Sequence, residues 1–311
     1  MSNYVYPRFS QKDYNLFRVE GLGLGNLLFI YADALVFAEE TGYEMIWPTW
    51  PCFTWGNWKA WLIGKSRDRR TYAGLFVNRG SYISGIKKIV MRSRYKKMTY
   101  EEYLATPQVD NKIIEFDEFS SYSFKNIKSK ANLVRKNIEE HVRKDITGVI
   151  PSDMSEAIVA HVRIGDFAVA TEEELKSGCR NVRTPVKWFA DRIKEIREIT
   201  GITNKVYLFS DGKDEELAEI LNLPNVERLS FGSSISDICA LSHAKLMLAS
   251  GSTFSMWARY LGRVSTITYE GQMTERLFDD SESAFEIEIA QNANEEQRAC
   301  IRELFTRKAG E

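Results

Sequence analysis

The sequence predicts an α/β protein with two domains of similar size and a cleft between them. Its 311 residues exceed one ordinary domain and suit two. Short apolar segments alternate with helical patterns, which is typical of a doubly wound parallel sheet. Turn residues between 147 and 152 place the domain boundary near residue 150, giving domains 1–150 and 151–311.

Composition and charge exclude several classes of partner. A hydrophobic content of 44% and a charged content of 27% are typical of a soluble globular protein. The net charge of -1 gives no strong global field that would attract nucleic acid or an anionic membrane. We expect a cytoplasmic protein, because the first residues lack a signal-peptide pattern and no apolar run is long enough to span a bilayer. We expect the cysteines to be free buried thiols: Cys52, Cys179, Cys239 and Cys300.

The first domain is predicted to open with a strand (16–20), a glycine turn (GLGLGN, 21–26), a helix (27–40) and a strand (43–47). A dinucleotide site is disfavoured, because Asn26 stands where the motif needs its last glycine. The glycines either bring backbone N–H groups close to a phosphate or sugar hydroxyl, or form a tight turn with no ligand.

Two compositional features mark the middle of the first domain. The tryptophans between residues 47 and 61 predict either a pocket for sugar rings or a packed hydrophobic flap. The basic stretch Lys87–Lys97 is interleaved with apolar residues. A solvated basic surface is the favoured interpretation of this stretch, and an amphipathic patch that touches anionic lipid is the alternative. A long charged helix is expected over 124–144.

The second domain alternates strands and helices more clearly. Strands are predicted at 157–164, 205–210, 226–231, 245–250 and 265–269, and helices at 186–199, 214–221, 234–243, 252–261 and 294–307. This order predicts a doubly wound parallel sheet.

A polar trio, His161, Arg163 and Asp166, follows the first strand of the second domain. Parallel sheets bind ligands at the carboxyl ends of their strands, and an arginine there can bind phosphate oxygens with two N–H groups. Asp166 would hold Arg163 in place or act as a base. A structural Arg–Asp pair beside a core histidine is the alternative interpretation.

A turn of small residues, 250–253, follows a later strand and opens a helix. Its hydroxyl and N–H groups can hold an anion, while an ordinary capped helix is the alternative. Arg163 and this turn fall in one domain, which indicates a diphosphate ligand such as a nucleotide sugar. The sequence has neither a Walker lysine pattern nor metal-ligand spacing, so no metal is expected.

Four segments resemble, in order, motifs of the bacterial α-1,2-fucosyltransferases, glycosyltransferase family 11. They are Gly23–Asn26 with Tyr31 and Ala32, HVRIGD at 161–166, Phe209–Asp211, and residues 241–262. The HVRIGD segment also resembles a motif of the α-1,6- and protein O-fucosyltransferases. Together these segments span most of the chain.

The resemblance implies a GT-B-like fold, in which two Rossmann-like domains face a central cleft. The domain 1–150 would lie on the acceptor side, and the domain 151–311 would bind a GDP-sugar. The implied reaction is inverting transfer of L-fucose from GDP-fucose to a sugar hydroxyl, with α-1,2 linkage and without metal or cofactor, in surface glycan or polysaccharide synthesis. The alternatives are another GDP-sugar donor or a non-catalytic nucleotide- or sugar-binding protein, because Gly251, Met256 and Arg259 depart from the family pattern.

The resemblance also implies roles for individual residues. Arg163 would bind the β-phosphate of GDP and stabilise the departing diphosphate. His161 and Asp237 would lie near guanine, and Asp211 near the nucleotide. The remaining implied donor-binding residues are Gly25, Asn26, Ser252, Thr253 and Phe254.

The catalytic residues are predicted to be Arg163 and Asp166, with residues 172–174 as other candidates for the base. The expected partners are a nucleotide-sugar donor and a glycan acceptor, with no nucleic acid. The expected location is the cytoplasm, with peripheral contact to the inner membrane through Lys87–Lys97.

Overall fold

A computed structural model of the chain describes residues 3–53, 71–107, 109–119, 123–147, 150–278 and 284–306. The chain divides into two compact units, Met1–Ile146 and Thr147–Glu311, which we call unit 1 and unit 2. The division lies at residue 146, whereas the sequence analysis placed it near residue 150.

Unit 1 contains two small sheets. Its strands are β1 (Tyr4–Pro7), β2 (Lys12–Asp13), β3 (Arg18–Val19), β4 (Glu44–Met45), β5 (Cys52–Phe53), β6 (Lys96–Thr99) and β7 (Lys112–Phe116). Four of them form a parallel sheet in the order β4-β1-β7-β6. The others form a sheet in the order β2-β3-β5, in which β2 and β3 make an antiparallel hairpin.

The strand predicted at 16–20 is present only as β3, and it lies in the small sheet with β2 and β5 rather than in the parallel sheet. Residues 4–7 enter the parallel sheet instead, where Val5 and Tyr6 are fully buried. Leu16 and Phe17 lie at the tip of the β2–β3 hairpin and are exposed. Their apolar character therefore does not mark a core strand.

The helices of unit 1 are α1 (Leu24–Thr41), α2 (Gly85–Arg94), α3 (Tyr100–Ala105) and α4 (Ala131–His141). Helix α1 ends at Gly42, whose φ of 70° lies in the left-handed region that glycine adopts readily. The long helix predicted over 124–144 is shorter in the structure, where the α-helix within this range is α4, Ala131–His141.

Unit 2 contains one parallel sheet of six strands. They are β8 (Ile158–Val162), β9 (Val206–Ser210), β10 (Val226–Arg228), β11 (Leu246–Ala249), β12 (Ser265–Thr268) and β13 (Glu286–Glu288). Their spatial order is β10-β9-β8-β11-β12-β13. Counted along unit 2 this is 3-2-1-4-5-6, the order of dinucleotide-binding doubly wound folds. The predicted α/β class is confirmed, although β13 was not predicted.

The helices of unit 2 are α5 (Glu172–Lys176), α6 (Val186–Thr200), α7 (Ala218–Leu221), α8 (Ser234–Leu241), α9 (Thr253–Gly262) and α10 (Glu295–Thr306). They cover both faces of the sheet. Ile158, Ala160 and Val162 of β8 pack in a cluster with α6, whereas Val159 packs in a cluster with α8 and α9. Burial on both faces explains why β8 is apolar at every position except His161.

Arg259 is a departure from the family pattern, and the structure gives it a local role. This residue of α9 is 3% exposed and lies 3.1 Å from Glu286 of β13. It also donates to the carbonyl oxygen of Glu275 at 2.6 Å. Glu286 in turn accepts hydrogen bonds from the N–H groups of Leu277 and Phe278. The buried pair therefore fixes β13 and the chain before it against α9.

The cysteines are free, as predicted, but they are not all buried. Cys52 is buried and Cys179 is exposed, while Cys239 and Cys300 are intermediate. The prediction of four buried thiols is therefore wrong for Cys179, which lies in the exposed loop after α5.

Candidate functional site

The loops after β8 and β11 meet at the carboxyl edge of the unit 2 sheet. These strands are neighbours, with Ala249 opposite His161, but the connections that follow them run to opposite sides of the sheet. Such a switch point is where open α/β sheets bind ligands. Ser250 joins the two loops, because its Oγ accepts a hydrogen bond from the N–H of Arg163 at 3.0 Å.

Two carboxylates hold Arg163 at this switch point. Its Nη2 donates to Asp166 Oδ1 at 2.7 Å, and its Nη1 lies 2.7 Å from Asp211 Oδ2. The guanidinium also lies 5.7 Å from the ring centre of Phe167. A guanidinium carries five N–H donors and stays charged, and the Arg163 side chain is 27% exposed. Arg163 is thus fixed in place while remaining reachable from solvent.

Asp211 and Gly165 depend on each other. Asp211 Oδ1 accepts a hydrogen bond from the N–H of Ile164 at 2.9 Å, so its carboxylate lies against the backbone of the loop after β8. A Cβ atom at position 165 would overlap Asp211 Oδ2. Glycine is therefore required here by close approach. Gly165 is not among the predicted site residues, although its place inside the HVRIGD segment was the available signal.

His161 is a buried, uncharged member of the cluster. It is 8% exposed, and its Nδ1 lies 2.6 Å from the hydroxyl of Ser255 on α9. Burial, helped by the charge of Arg163, lowers the pKa of His161 to about 4. Its ring stacks on that of Phe254, with centroids 6.3 Å apart. The neutral imidazole thus connects β8 to the first turns of α9.

The turn at 250–253 caps α9. Ser252 Oγ accepts a hydrogen bond from the N–H of Phe254 at 3.2 Å, and the first turn of α9 contains no acidic residue. Thr253 is the first residue of the helix. A Cβ at Gly251 would lie 2.8 Å from Gln272 Oε1, so the side chain of Gln272 explains glycine at this position. The positive end of α9 therefore lies beside the loop that carries Arg163.

Asp237 lies in the first turn of α8, and not in the loop that carries Arg163. Its Oδ1 accepts a hydrogen bond from the N–H of Phe231 at 2.8 Å. Burial raises the pKa of Asp237 to about 6. Helix α8 packs against α9, which places Asp237 on the neighbouring element of the same unit.

Gly25 and Asn26 lie in the first turn of α1, in unit 1. Gly23 is the N-cap, and it makes no side-chain capping bond. Arg18 precedes the glycine turn in the chain, is fully buried and donates to the carbonyl oxygen of Glu20 at 2.7 Å. A Cβ at Gly21 would overlap Arg18 Nη1, so the buried guanidinium demands glycine at the start of the loop.

Two of the other candidates for the base, Glu172 and Glu174, have structural partners. Glu174 closes a capping box at the start of α5, where its Oε2 accepts a hydrogen bond from the N–H of Thr171. Glu172 pairs with Lys176 one turn later, at 2.8 Å. Asp166 also has a partner, because it accepts a hydrogen bond from Arg163, but its side chain lies in the same loop as Arg163 and is 60% exposed.

Two residues of the basic stretch contradict the interpretation as a solvated surface. Lys88 is 4% exposed and donates to Thr49 Oγ1 at 2.7 Å. Burial lowers the pKa of Lys88 to about 7. Arg92 is also buried, lies 3.3 Å from Asp13 Oδ1 and donates to Asn15 Oδ1 at 2.6 Å. The remaining basic residues of the stretch are exposed: Lys87, Arg94, Lys96 and Lys97.

The first two tryptophans of the run belong to an aromatic cluster. Trp47 stacks on Tyr82 with ring centroids 5.7 Å apart, and Trp50, 2% exposed, stacks on Phe76 at 3.9 Å. These contacts favour packing over a sugar pocket for this pair. The other members of the run, Trp55, Trp58 and Trp61, lie outside the described residues.

Within the described residues, no three His, Cys, Asp or Glu side chains are grouped in a way that could hold a metal ion. In the same part of the chain, no helix is both long enough and apolar enough to cross a membrane.

The six-stranded sheet with its switch point places unit 2 in the class of doubly wound α/β domains, which bind ligands at this edge of the sheet. The model of glycosyl transferase family 11 matches residues 83–291, about two thirds of the chain. The chain therefore belongs to glycosyl transferase family 11, and the membership predicted from its motifs is confirmed. The match begins at residue 83, so the glycine turn at 21–26 lies outside it.

Comparison with solved structures finds similar chains among fucosyltransferases. NodZ alpha-1,6-fucosyltransferase soaked with GDP-fucose is 15% identical, with a TM-score of 0.49, and the match covers 87% of this chain and 96% of that chain. Fucosyltransferase NodZ from Bradyrhizobium is 14% identical, with a TM-score of 0.49, and the match covers 87% of this chain and 97% of that chain. POFUT1 in complex with GDP-fucose is 12% identical, with a TM-score of 0.47, and the match covers 86% of this chain and 98% of that chain. No curated protein matches the sequence significantly.

Proposed function

We propose that the protein is an inverting fucosyltransferase that moves L-fucose from GDP-fucose to a hydroxyl group of a sugar acceptor. Membership of glycosyl transferase family 11 supports glycosyl transfer, and the four sequence motifs support fucose and GDP. The observation that carries the proposal is the position of Arg163, a charged and partly exposed group at the switch point of unit 2.

Arg163 would bind the β-phosphate of the donor. In the reaction the bond between the anomeric carbon of fucose and the phosphate oxygen breaks, and its electron pair leaves with GDP. Arg163 and the N-terminus of α9 supply positive charge to that developing negative charge. The guanidinium is already oriented by Asp211, so little reorganisation is needed when the diphosphate departs. These groups make metal or another cofactor unnecessary in the proposed step.

Asp166 is the proposed base. The acceptor hydroxyl attacks the anomeric carbon on the face opposite to GDP, and its proton passes to the Asp166 carboxylate. The exposed side chain of Asp166 and the structural bonds of Glu172 and Glu174 support this choice. An oxocarbenium-like transition state needs only a weak base, which fits a carboxylate that also bonds Arg163.

The guanine end of the donor is proposed to lie along α8 and α9. Asp237 would accept hydrogen bonds from the ring N–H and amino group, with the neutral His161 nearby. Ser252, Thr253 and Phe254 would cradle the phosphates. The sequence motif assigns Gly25 and Asn26 of unit 1 to donor binding as well, and this assignment stays a prediction.

The acceptor side of the proposal is assigned to unit 1. We propose α-1,2 linkage to a glycan acceptor, in surface glycan or polysaccharide synthesis, because the motifs resemble those of the α-1,2 enzymes. The proposed location is the cytoplasm, with peripheral contact to the inner membrane. The exposed basic residues between Lys87 and Lys97 support that contact.

The deciding experiment is calorimetric titration of the protein with GDP, GDP-fucose and GDP-mannose in the presence of EDTA. We expect GDP and GDP-fucose to bind without metal, GDP-mannose to bind poorly, and Arg163→Ala to weaken GDP binding strongly. Arg180→Ala is the matched control, because Arg180 is an exposed arginine of unit 2 that bonds Thr274.

Other outcomes point to the two alternatives. Equal affinity for GDP-mannose would replace fucose by another GDP-sugar as the donor. Tight GDP binding with neither donor hydrolysis nor transfer to any glycan would identify a non-catalytic binding protein. Absence of any guanine nucleotide binding would refute the proposal, and NMR of the product would establish the linkage.

A further inference from the structure

Exposed apolar side chains concentrate in one part of unit 1. Twelve large apolar side chains are exposed among the described residues, and six of them lie on the tip of the β2–β3 hairpin and on α2. We call this set the apolar ridge: Tyr14, Leu16, Phe17, Ile86, Ile89 and Val90. Leu16 is 68% exposed and Ile86 is 81% exposed. Contiguous exposed apolar side chains mark surfaces that contact a partner or a membrane.

A buried arginine joins the two segments of the apolar ridge. Arg92 of α2 donates to Asn15 Oδ1, which lies at the hairpin tip, at 2.6 Å. The same guanidinium pairs with Asp13 at 3.3 Å, and the Asp13 side chain is 1% exposed. Hairpin tip and helix are therefore held together from below.

The tip itself is a closed turn with a fixed shape. The N–H of Tyr14 donates to the carbonyl oxygen of Phe17 at 2.9 Å, and Asn15 has a left-handed φ of 68°. The rings of Tyr14 and Phe17 stack with centroids 5.3 Å apart. The turn therefore directs Leu16 away from the core of unit 1, and the Leu16 side chain is exposed.

The chemistry around the apolar ridge identifies its occupant. Residues 85–98 contain no Asp or Glu, and their exposed charged residues are Lys87, Arg94, Lys96 and Lys97. Of these, Lys87 lies 4.0 Å from the exposed carboxylate of Glu44. Lys96 and Lys97 lie on β6, the edge strand of the parallel sheet beside α2. Apolar side chains flanked by exposed cations fit an anionic bilayer surface, where the apolar groups enter the headgroup region and the cations meet lipid phosphates.

We propose that the apolar ridge and these four cations dock unit 1 onto an anionic lipid bilayer. Leu16 and Ile86 insert most deeply, because they are the most exposed members of the ridge. The setting of this inference rests on the proposed function, in which a lipid-linked saccharide would meet the enzyme at the membrane. The docking itself does not depend on the donor, so it can fail while GDP binding holds, and the reverse.

Flotation of the full-length protein with vesicles tests the proposal. We use vesicles of phosphatidylcholine alone and vesicles of phosphatidylcholine mixed equally with phosphatidylglycerol. The wild type is expected to float with the anionic vesicles and to be released by salt. Leu16→Glu and Ile86→Glu are each expected to weaken binding about tenfold or more. Lys96→Gln is expected to weaken binding to anionic vesicles about fivefold.

Leu104→Glu and Ile202→Glu are matched controls, because both residues are exposed apolar side chains outside the ridge. Circular dichroism and thermal unfolding of every variant verify the fold, independently of GDP binding. Failure of the wild type to float with anionic vesicles, or equal losses in the control variants, would overturn the proposal. So would a change of oligomeric state in Leu16→Glu, which would assign the ridge to a second copy of the chain. A raised KM for a soluble glycan with unchanged flotation would assign it to the acceptor.

Discussion

The two units treat charge differently at the carboxyl edges of their sheets. In unit 1, Arg92 pairs with Asp13 at 3.3 Å. The Arg92 side chain is 7% exposed and the Asp13 side chain is 1% exposed. In unit 2, Arg163 also pairs with carboxylates, but its side chain is 27% exposed. The first arrangement ties segments of the chain to one another, whereas the second leaves a cation open to solvent.

This difference separates a structural ion network from a candidate site. Both clusters lie where parallel sheets bind ligands, so position at the carboxyl edge does not distinguish them. Exposure of the cation does, because a guanidinium that solvent cannot reach cannot take up a diphosphate. The two arginines, Arg92 and Arg163, should therefore fail in opposite ways when replaced.

The largest effect is expected from Arg163→Ala. Removing the group that meets the charge of the leaving diphosphate should lower kcat by about 10²–10³-fold. Arg163→Lys should recover little, because an ammonium cannot bond phosphate in the same two-pronged geometry. Steady-state kinetics and thermal unfolding measure the two effects. Wild-type turnover in a folded Arg163→Ala protein would remove Arg163 from the mechanism.

Arg92→Ala should instead damage the fold. It leaves the Asp13 carboxylate buried without its main cationic partner, which we expect to lower the free energy of unfolding by about 3–5 kcal/mol. GDP affinity of the folded fraction should not change. Urea unfolding is the measurement, and Arg94→Ala, an exposed arginine on the same helix, is the control. Unchanged stability with lost GDP affinity would erase the contrast between the units.

Lys88 should make the stability of unit 1 depend on pH. Its pKa is lowered by burial to about 7 in the folded protein, against 10.5 as its ordinary value. Between these values the unfolded chain binds more protons, so the free energy of unfolding should rise with pH, by up to about 1.4 kcal/mol per unit. Urea unfolding across this range, for wild type and Lys88→Met, measures the difference. Lys87→Met, the exposed neighbour, should retain the wild-type slope.

Asp237 should give the smallest effect. Its pKa is raised by burial to about 6, and protonation removes the charge that would accept guanine N–H groups. We expect GDP-fucose affinity to fall about fourfold between about pH 7 and about pH 5.5, since the esterified diphosphate of this donor has no group of its own that titrates there. His161 cannot cause this step, because its pKa is lowered to about 4. Titration calorimetry should show the step in Asp191→Asn and lose it in Asp237→Asn, and a persistent step would contradict the assignment.

Unit 2 was predictable from sequence because its strands are buried on both faces. Each of the five strands predicted there is present. Runs such as Ile158–Val162, which is apolar at every position except His161, are typical of buried strands. Unit 1 was less predictable. Leu16 and Phe17 suggested a core strand but lie exposed on a hairpin, and the true first strand, Tyr4–Pro7, is too short to show a period.

The candidate site was predictable only in part. The spacing of Arg163 and Asp166 indicated a pair, and the structure contains it. The contact of Arg163 with Asp211 depends on the pairing of β8 with β9, which no local pattern shows. The inward direction of Lys88 and Arg92 likewise depends on the hairpin that covers them.

The buried pair of Arg259 and Glu286 limits how this chain can be recombined with its relatives. A chimera that grafts α9 with a small residue at position 259 would strand the Glu286 carboxylate in the interior, where an unpaired charge costs several kcal/mol. The chain from Glu275 to Glu288 must therefore be exchanged together with α9. Shuffling libraries with a crossover between these two segments should be depleted of folded members.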